Sequence, residues 1–110
     1  MKQFLLVCLG GAFGSGARFA VSSAMPHGTL VVNVLGSFAI AVAFESMRAS
    51  DLRLMLIAGV LGGFTTYSAF NQETLEFLRR GAWGSATANV LVTVVTCLIA
   101  GFLGATLARR

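Results

Sequence analysis

The residues of this chain that could do chemistry are amides, hydroxyls and aromatic rings set into long apolar runs. Thr29 and Asn33 lie four apart, as do Asn89 and Thr93, with Thr96 and Cys97 following at three and four. Side chains at those spacings share one face of a helix. A third group is denser: Thr65, Thr66, Tyr67, Ser68 and Phe70 fall within positions 65–70, with Asn71 next and Glu73 just beyond. Amides and hydroxyls donate hydrogen bonds, a thiol does so weakly, and aromatic rings present a positively polarised edge. The carboxylates are elsewhere: Glu45 and Asp51 flank a short polar stretch, and Glu73 and Glu76 sit near a helix end. Donors and ring edges without a carboxylate at the midplane suit a small anion. A proton-coupled carrier of cations wants a membrane-embedded carboxylate.

The elements that position these groups are membrane helices. Hydrophobic residues make up 56% of the 110 positions and charged ones 11%, with mean hydropathy +0.84. A soluble domain carries roughly a quarter charged residues. A span needs about 20 apolar residues, and the sequence predicts four, at about 3–23, 29–47, 52–80 and 83–107. The opening apolar run is broken by Gly10, Gly11, Gly14 and Gly16 and closed by Arg18, so it reads as mature structure and not as a leader. Cys8 and Cys97 form no Cys-x-x-Cys pair and read as reduced thiols. Net charge is +4, but the basic residues are scattered among segment ends. Nucleic-acid binding wants a stripe on one face, so the excess reads as interfacial anchoring.

The third span carries the main irregularity. Gly59-Val-Leu-Gly-Gly-Phe-Thr-Thr-Tyr-Ser-Ala-Phe-Asn-Gln-Glu73 pairs Gly62 with Gly63 and follows them with hydroxyls. Each glycine weakens helix by about 1 kcal/mol relative to Ala, and Ser and Thr compete for backbone partners. A break is expected near 62–66. Non-helical backbone at membrane depth persists only where protein buries it or a cavity lines it, which marks an ion or substrate site. Tyr67 and Phe70, three apart, share a face that suits either core packing or recognition.

Elsewhere, Gly10 and Gly14 form a small-residue face for close helix approach. Arg18 lies inside the first span and either snorkels or serves packing and anion attraction. Asn33 suits a cross-helix bond or a polar conduit, with Thr29 expected on the same side. Basic residues divide five (Lys2, Arg48, Arg53, Arg109, Arg110) against three (Arg18, Arg79, Arg80) between the two ends. So weak a bias permits insertion in both directions. An antiparallel homodimer then restores the inverted symmetry that larger transporters carry within one chain.

The Gly59–Glu73 stretch, the Gly28-Thr-Leu-Val-Val-Asn33 run and the Gly-rich first helix ending in Arg18 together resemble the small fluoride channel family (Fluc, also called CrcB). The resemblance spans the whole chain. It implies a dual-topology antiparallel dimer with two fluoride pores, exporting fluoride passively across the cytoplasmic (inner) membrane. It also implies a structural sodium ion between the helix breaks, held by the carbonyls of Gly62 and Thr65 of each subunit. By the same resemblance Asn33 is the pore amide, and Tyr67 and Phe70 line the fluoride path with their ring edges. Thr29, Thr93 and Cys97 form a hydroxyl track opposite, with Ser68 nearby. Glu73 stands near the pore exit and Arg18 at the vestibule. Tyr67 replaces the family's usual phenylalanine and Cys97 a common serine. The competing readings are a proton-coupled exporter resembling small multidrug carriers and a non-transporting packing subunit.

Overall fold

The computed structural model describes all 110 residues. The protein is all-helical, with four runs long and apolar enough to cross a membrane: Lys2–Ala24, Gly28–Ser46, Asp51–Arg79 and Trp83–Ala108. Helix α1 (Lys2–Ala24) stops at Met25, whose φ of −129° and ψ of 141° are extended. Pro26 follows, and a proline disfavours helical angles in the residue before it. His27 then takes a left-handed φ of 57° and leads into α2 (Gly28–Ser46). The reversal is tight enough that a Cβ on Gly28 would sit 2.6 Å from the Ser22 carbonyl oxygen.

The third run is built in pieces. A short α3 (Asp51–Leu54) starts where Ser50 Oγ accepts from the Arg53 amide at 3.1 Å. A π-helical stretch covers Met55–Leu61, and α4 (Gly62–Phe64) follows. Thr65 (φ −88°, ψ 156°) and Thr66 (φ −149°, ψ 116°) are extended. Then α5 (Tyr67–Arg79) begins, its first turn capped by Thr66 Oγ1 accepting from the Ala69 amide at 3.1 Å. Helix α5 ends at Gly81, whose φ is +72°. There Ala82 donates to the Phe77 carbonyl at 2.8 Å and Gly81 to that of Leu78 at 3.0 Å. This is a Schellman closure, which needs a left-handed residue at that position. Helix α6 (Trp83–Ala108) is about 39 Å long at 1.5 Å per residue, more than the roughly 30 Å of hydrocarbon.

The two halves of the third run have different neighbours. The π-helical stretch and α4 pack on α1, whereas α5 packs on α6, and α6 also runs along α2. The α1 contact is backbone against backbone. A Cβ on Gly10 would lie 2.7 Å from the Met55 carbonyl oxygen, and one on Gly14 would overlap the carbonyl of Val60. The glycine pair of the third run is itself helical: Gly62 has φ −62° and ψ −37°. Gly63 serves close approach, since a Cβ there would meet the Gly11 carbonyl oxygen at 2.7 Å. Only 15 of the 110 residues are buried, so most of the apolar side chains face outward and lipid or another chain must cover them.

Candidate functional site

Asn33, buried in α2, faces the two extended residues of the third run. Its Nδ2 donates to the Thr66 carbonyl at 3.0 Å, and its Oδ1 accepts from the Thr66 amide at 2.8 Å. Extended backbone exposes one N–H and one C=O, which the amide matches as a pair. Unpaired, each would cost about 1–3 kcal/mol in a buried setting. One Nδ2 hydrogen remains uncommitted.

Beside this pair lies a cavity of about 310 Å³. Asn33, Thr65, Tyr67, Phe70, Thr93 and Cys97 are among its lining residues, and no carboxylate reaches its wall. Phe70 is buried, and its ring meets that of Tyr67 edge-on, centroids 5.5 Å apart at 67°. The Tyr67 side of the pair is 77% exposed, so one chain leaves the site open on that flank. Thr93 is buried opposite. Thr65, Thr74, Thr87, Thr96 and Thr106 each turn their hydroxyl back to a carbonyl of their own chain four residues earlier. Thr93 does not, which leaves its hydroxyl for the cavity. Cys97 is a half-buried free thiol on the same wall.

A second cavity, of about 210 Å³, lies on the other side of Thr66 and is lined by Arg18, Phe19, Ser22, Thr29, Thr66 and Ala69. No carboxylate pairs with Arg18, and its Nε is buried without a partner. Thr66 is the residue common to both cavities.

The structure therefore gathers Asn33, Tyr67, Phe70, Thr93, Cys97 and Thr65 at one cavity and Arg18 with Thr29 at another. Thr29, expected on the same side as Asn33, lines the second cavity, and Thr66 borders both. Ser68, Glu73 and Gly62 are exposed and line neither cavity. Ser68 Oγ lies 3.2 Å from Thr66 Oγ1. Two polar residues of α6 lie off the cavity wall. Asn89 donates to Thr74 Oγ1 at 2.9 Å and so ties α5 to α6, and Thr96 bonds to the carbonyl of Val92. Thr66 is the residue that sequence reasoning undervalued. A threonine just ahead of an amphipathic run is an N-cap signal, and that could have singled it out.

The backbone at this point also bears on a cation. The Thr66 amide, the helical i+4 donor for the Gly62 carbonyl, goes instead to Asn33 Oδ1. The Ala69 amide, the corresponding donor for the Thr65 carbonyl, goes to Thr66 Oγ1. Both carbonyls thus lack their usual helical partner. Carbonyl oxygens are hard ligands and suit a hard cation.

Comparison with known proteins shows the family. Residues 5–105 match the family described as CrcB-like protein, Camphor Resistance (CrcB). The chain belongs to the CrcB family. Its similarity to curated proteins runs from end to end. A protein of Anaeromyxobacter sp. (strain K) named fluoride-specific ion channel FluC is 49% identical, over 99% of this chain and 97% of that one. Proteins of the same name from Sorangium cellulosum and Opitutus terrae are 42% and 44% identical, over 100% and 94% of this chain and 97% and 90% of theirs. The CrcB match spans α1 through most of α6 and so includes every residue placed at the two cavities.

Proposed function

We propose that this chain forms a fluoride channel that lets the anion cross the membrane passively, without chemistry or a coupled ion. The observation that carries this reading is the cavity at Asn33, Tyr67, Phe70, Thr93 and Cys97, a set of donors and ring edges free of carboxylate, in a member of the CrcB family. Fluoride must exchange tightly held water for groups good enough to enter on and weak enough to leave. The spare Nδ2 hydrogen of Asn33, the free Thr93 hydroxyl and the edge of Phe70 meet that need, with the Cys97 thiol as a weak donor. The Arg18–Thr29 cavity acts as the entrance, where an unpaired guanidinium raises the local anion concentration. Thr66, shared by both cavities, lies between entrance and path.

In this reading Thr65 and Thr66 interrupt the third span at membrane depth, and two chains in opposite orientation form the channel in the inner membrane. The open flank of Tyr67, the outward-facing apolar side chains and the weak charge asymmetry support a second copy. The carbonyls of Gly62 and Thr65 from each copy would hold a sodium ion, which supplies positive charge and joins the two chains. The family match and the carboxylate-free cavity both speak against a proton-coupled cation exporter. The deciding experiment is fluoride efflux from loaded liposomes with a potassium ionophore. Release above that of protein-free vesicles supports the channel, and its absence removes it.

A further inference from the structure

A further cavity, of about 540 Å³, lies away from Asn33. It opens at the end of the bundle where α1 begins, α2 ends and α3 starts, and its lining divides by polarity: Gln3, Ser50, Asp51 and Arg53 against Phe44, Leu54 and Ile57. Arg53 is held in place. Its guanidinium carbon lies 4.4 Å from the Phe44 ring centroid, and Nη2 donates to the Phe44 carbonyl at 3.2 Å. Its Nε is buried without a partner, and no carboxylate pairs with it.

The acids nearby are already engaged. Asp51 is bound by Lys2 Nζ at 3.1 Å and by Gln3 Nε2 at 3.3 Å, and Glu45 by Arg109 at 2.8 Å. The charge of Arg53 is therefore uncompensated at a cavity whose far wall is apolar. It also stands two residues inside the third apolar run, at a membrane boundary. Free phosphate would have no use for the apolar wall. A phospholipid uses both parts, because its phosphodiester meets the guanidinium, which binds phosphate in a fixed fork, while an acyl chain lies along Leu54 and Ile57.

We propose that Arg53 and this cavity form a binding site for the phosphodiester headgroup of an anionic phospholipid. The site is separate from the anion path and does not depend on that reading. It can be tested on the full chain in phosphatidylcholine vesicles doped with a photoactivatable phosphatidylglycerol, followed by peptide mapping. Labelling should concentrate on residues 44–57, resist added inorganic phosphate, and fall roughly fivefold in Arg53→Gln, the effect of about one interfacial charge. Arg53→Lys should lie between, and Arg110→Gln, which alters an exposed terminal charge, should match the parent. Labelling spread evenly over all helix ends, equal loss in Arg110→Gln, or displacement by inorganic phosphate would each overturn the proposal. Should Arg53→Gln fail to fold, the mapping and phosphate competition on the parent chain still decide.

Discussion

Asn33 and Thr66, 33 positions apart, are joined by a two-way bond: the asparagine donates to the threonine carbonyl at 3.0 Å and accepts from its amide at 2.8 Å. The pair closes the backbone where the third run leaves helical geometry. It also directs one remaining amide hydrogen at the cavity that holds Phe70 and Thr93.

Asn33→Asp keeps an acceptor for the Thr66 amide but loses both donors and sets a carboxylate against the Thr66 carbonyl. Fluoride efflux, read with a fluoride electrode, should fall at least about tenfold, one lost charge-assisted contact being worth about 1.5–3 kcal/mol. Efflux at the parent rate would remove Asn33 from the path.

Phe70→Ile removes the ring that meets Tyr67 edge-on and keeps an apolar side chain at the buried position. Efflux should drop by about tenfold or more, while the elution volume on size exclusion stays that of the parent, because α5 and α6 keep their other contacts. Tyr67→Phe retains the edge-on pair, and its efflux should stay within about twofold of the parent. A large loss would show that the Tyr67 hydroxyl itself takes part.

Cys97 and Cys8 differ in placement: Cys97 lines the cavity, whereas Cys8 is exposed on α1. A small methanethiosulfonate reagent should block efflux in the parent and in Cys8→Ser but not in Cys97→Ser. Block that survives in Cys97→Ser would place the thiol away from the ion.

The Gly62 and Thr65 carbonyls lack their helical donors because Asn33 and Thr66 take those amides. If sodium joins two copies there, replacing it with N-methylglucamine should lower the melting temperature of the purified protein and shift its elution toward a single chain. Asn33→Leu removes the bond that fixes the extended Thr66 beside the Gly62 carbonyl and should shrink that sodium effect. An equal melting temperature in both salts would exclude the site.

Asn89→Leu breaks the bond to Thr74 that ties α6 to α5. The expected cost is about 0.6 kcal/mol, the usual worth of such a bond within a membrane, seen as a small loss of thermal stability. Efflux should be unchanged, since neither residue lines the cavity.

Apolar run length and charge placement alone specify four membrane helices, because lipid leaves a backbone so few ways to satisfy its polar groups. The small face of Gly10 and Gly14 was legible for a similar reason, since two backbones can approach that closely only where no Cβ intervenes. The polar inventory, rich in donors and without a mid-span carboxylate, likewise pointed to an anion without any knowledge of the packing. What the chain order could not reveal was partnership at long range. Helical spacing put Thr29 with Asn33, and Asn89 and Thr96 with Thr93, as though each helix were read from one side. Tertiary structure decided what each of them faces. The Asn33 amide turns to Thr66, Thr29 lines a cavity with Arg18, Asn89 reaches Thr74, and Thr93 keeps its hydroxyl for the cavity at Asn33. Threonine hydroxyls reach a carbonyl one turn back and so stay local, whereas the longer amides of Asn33 and Asn89 cross to partners 33 and 15 residues away that only the packing of the helices brings near.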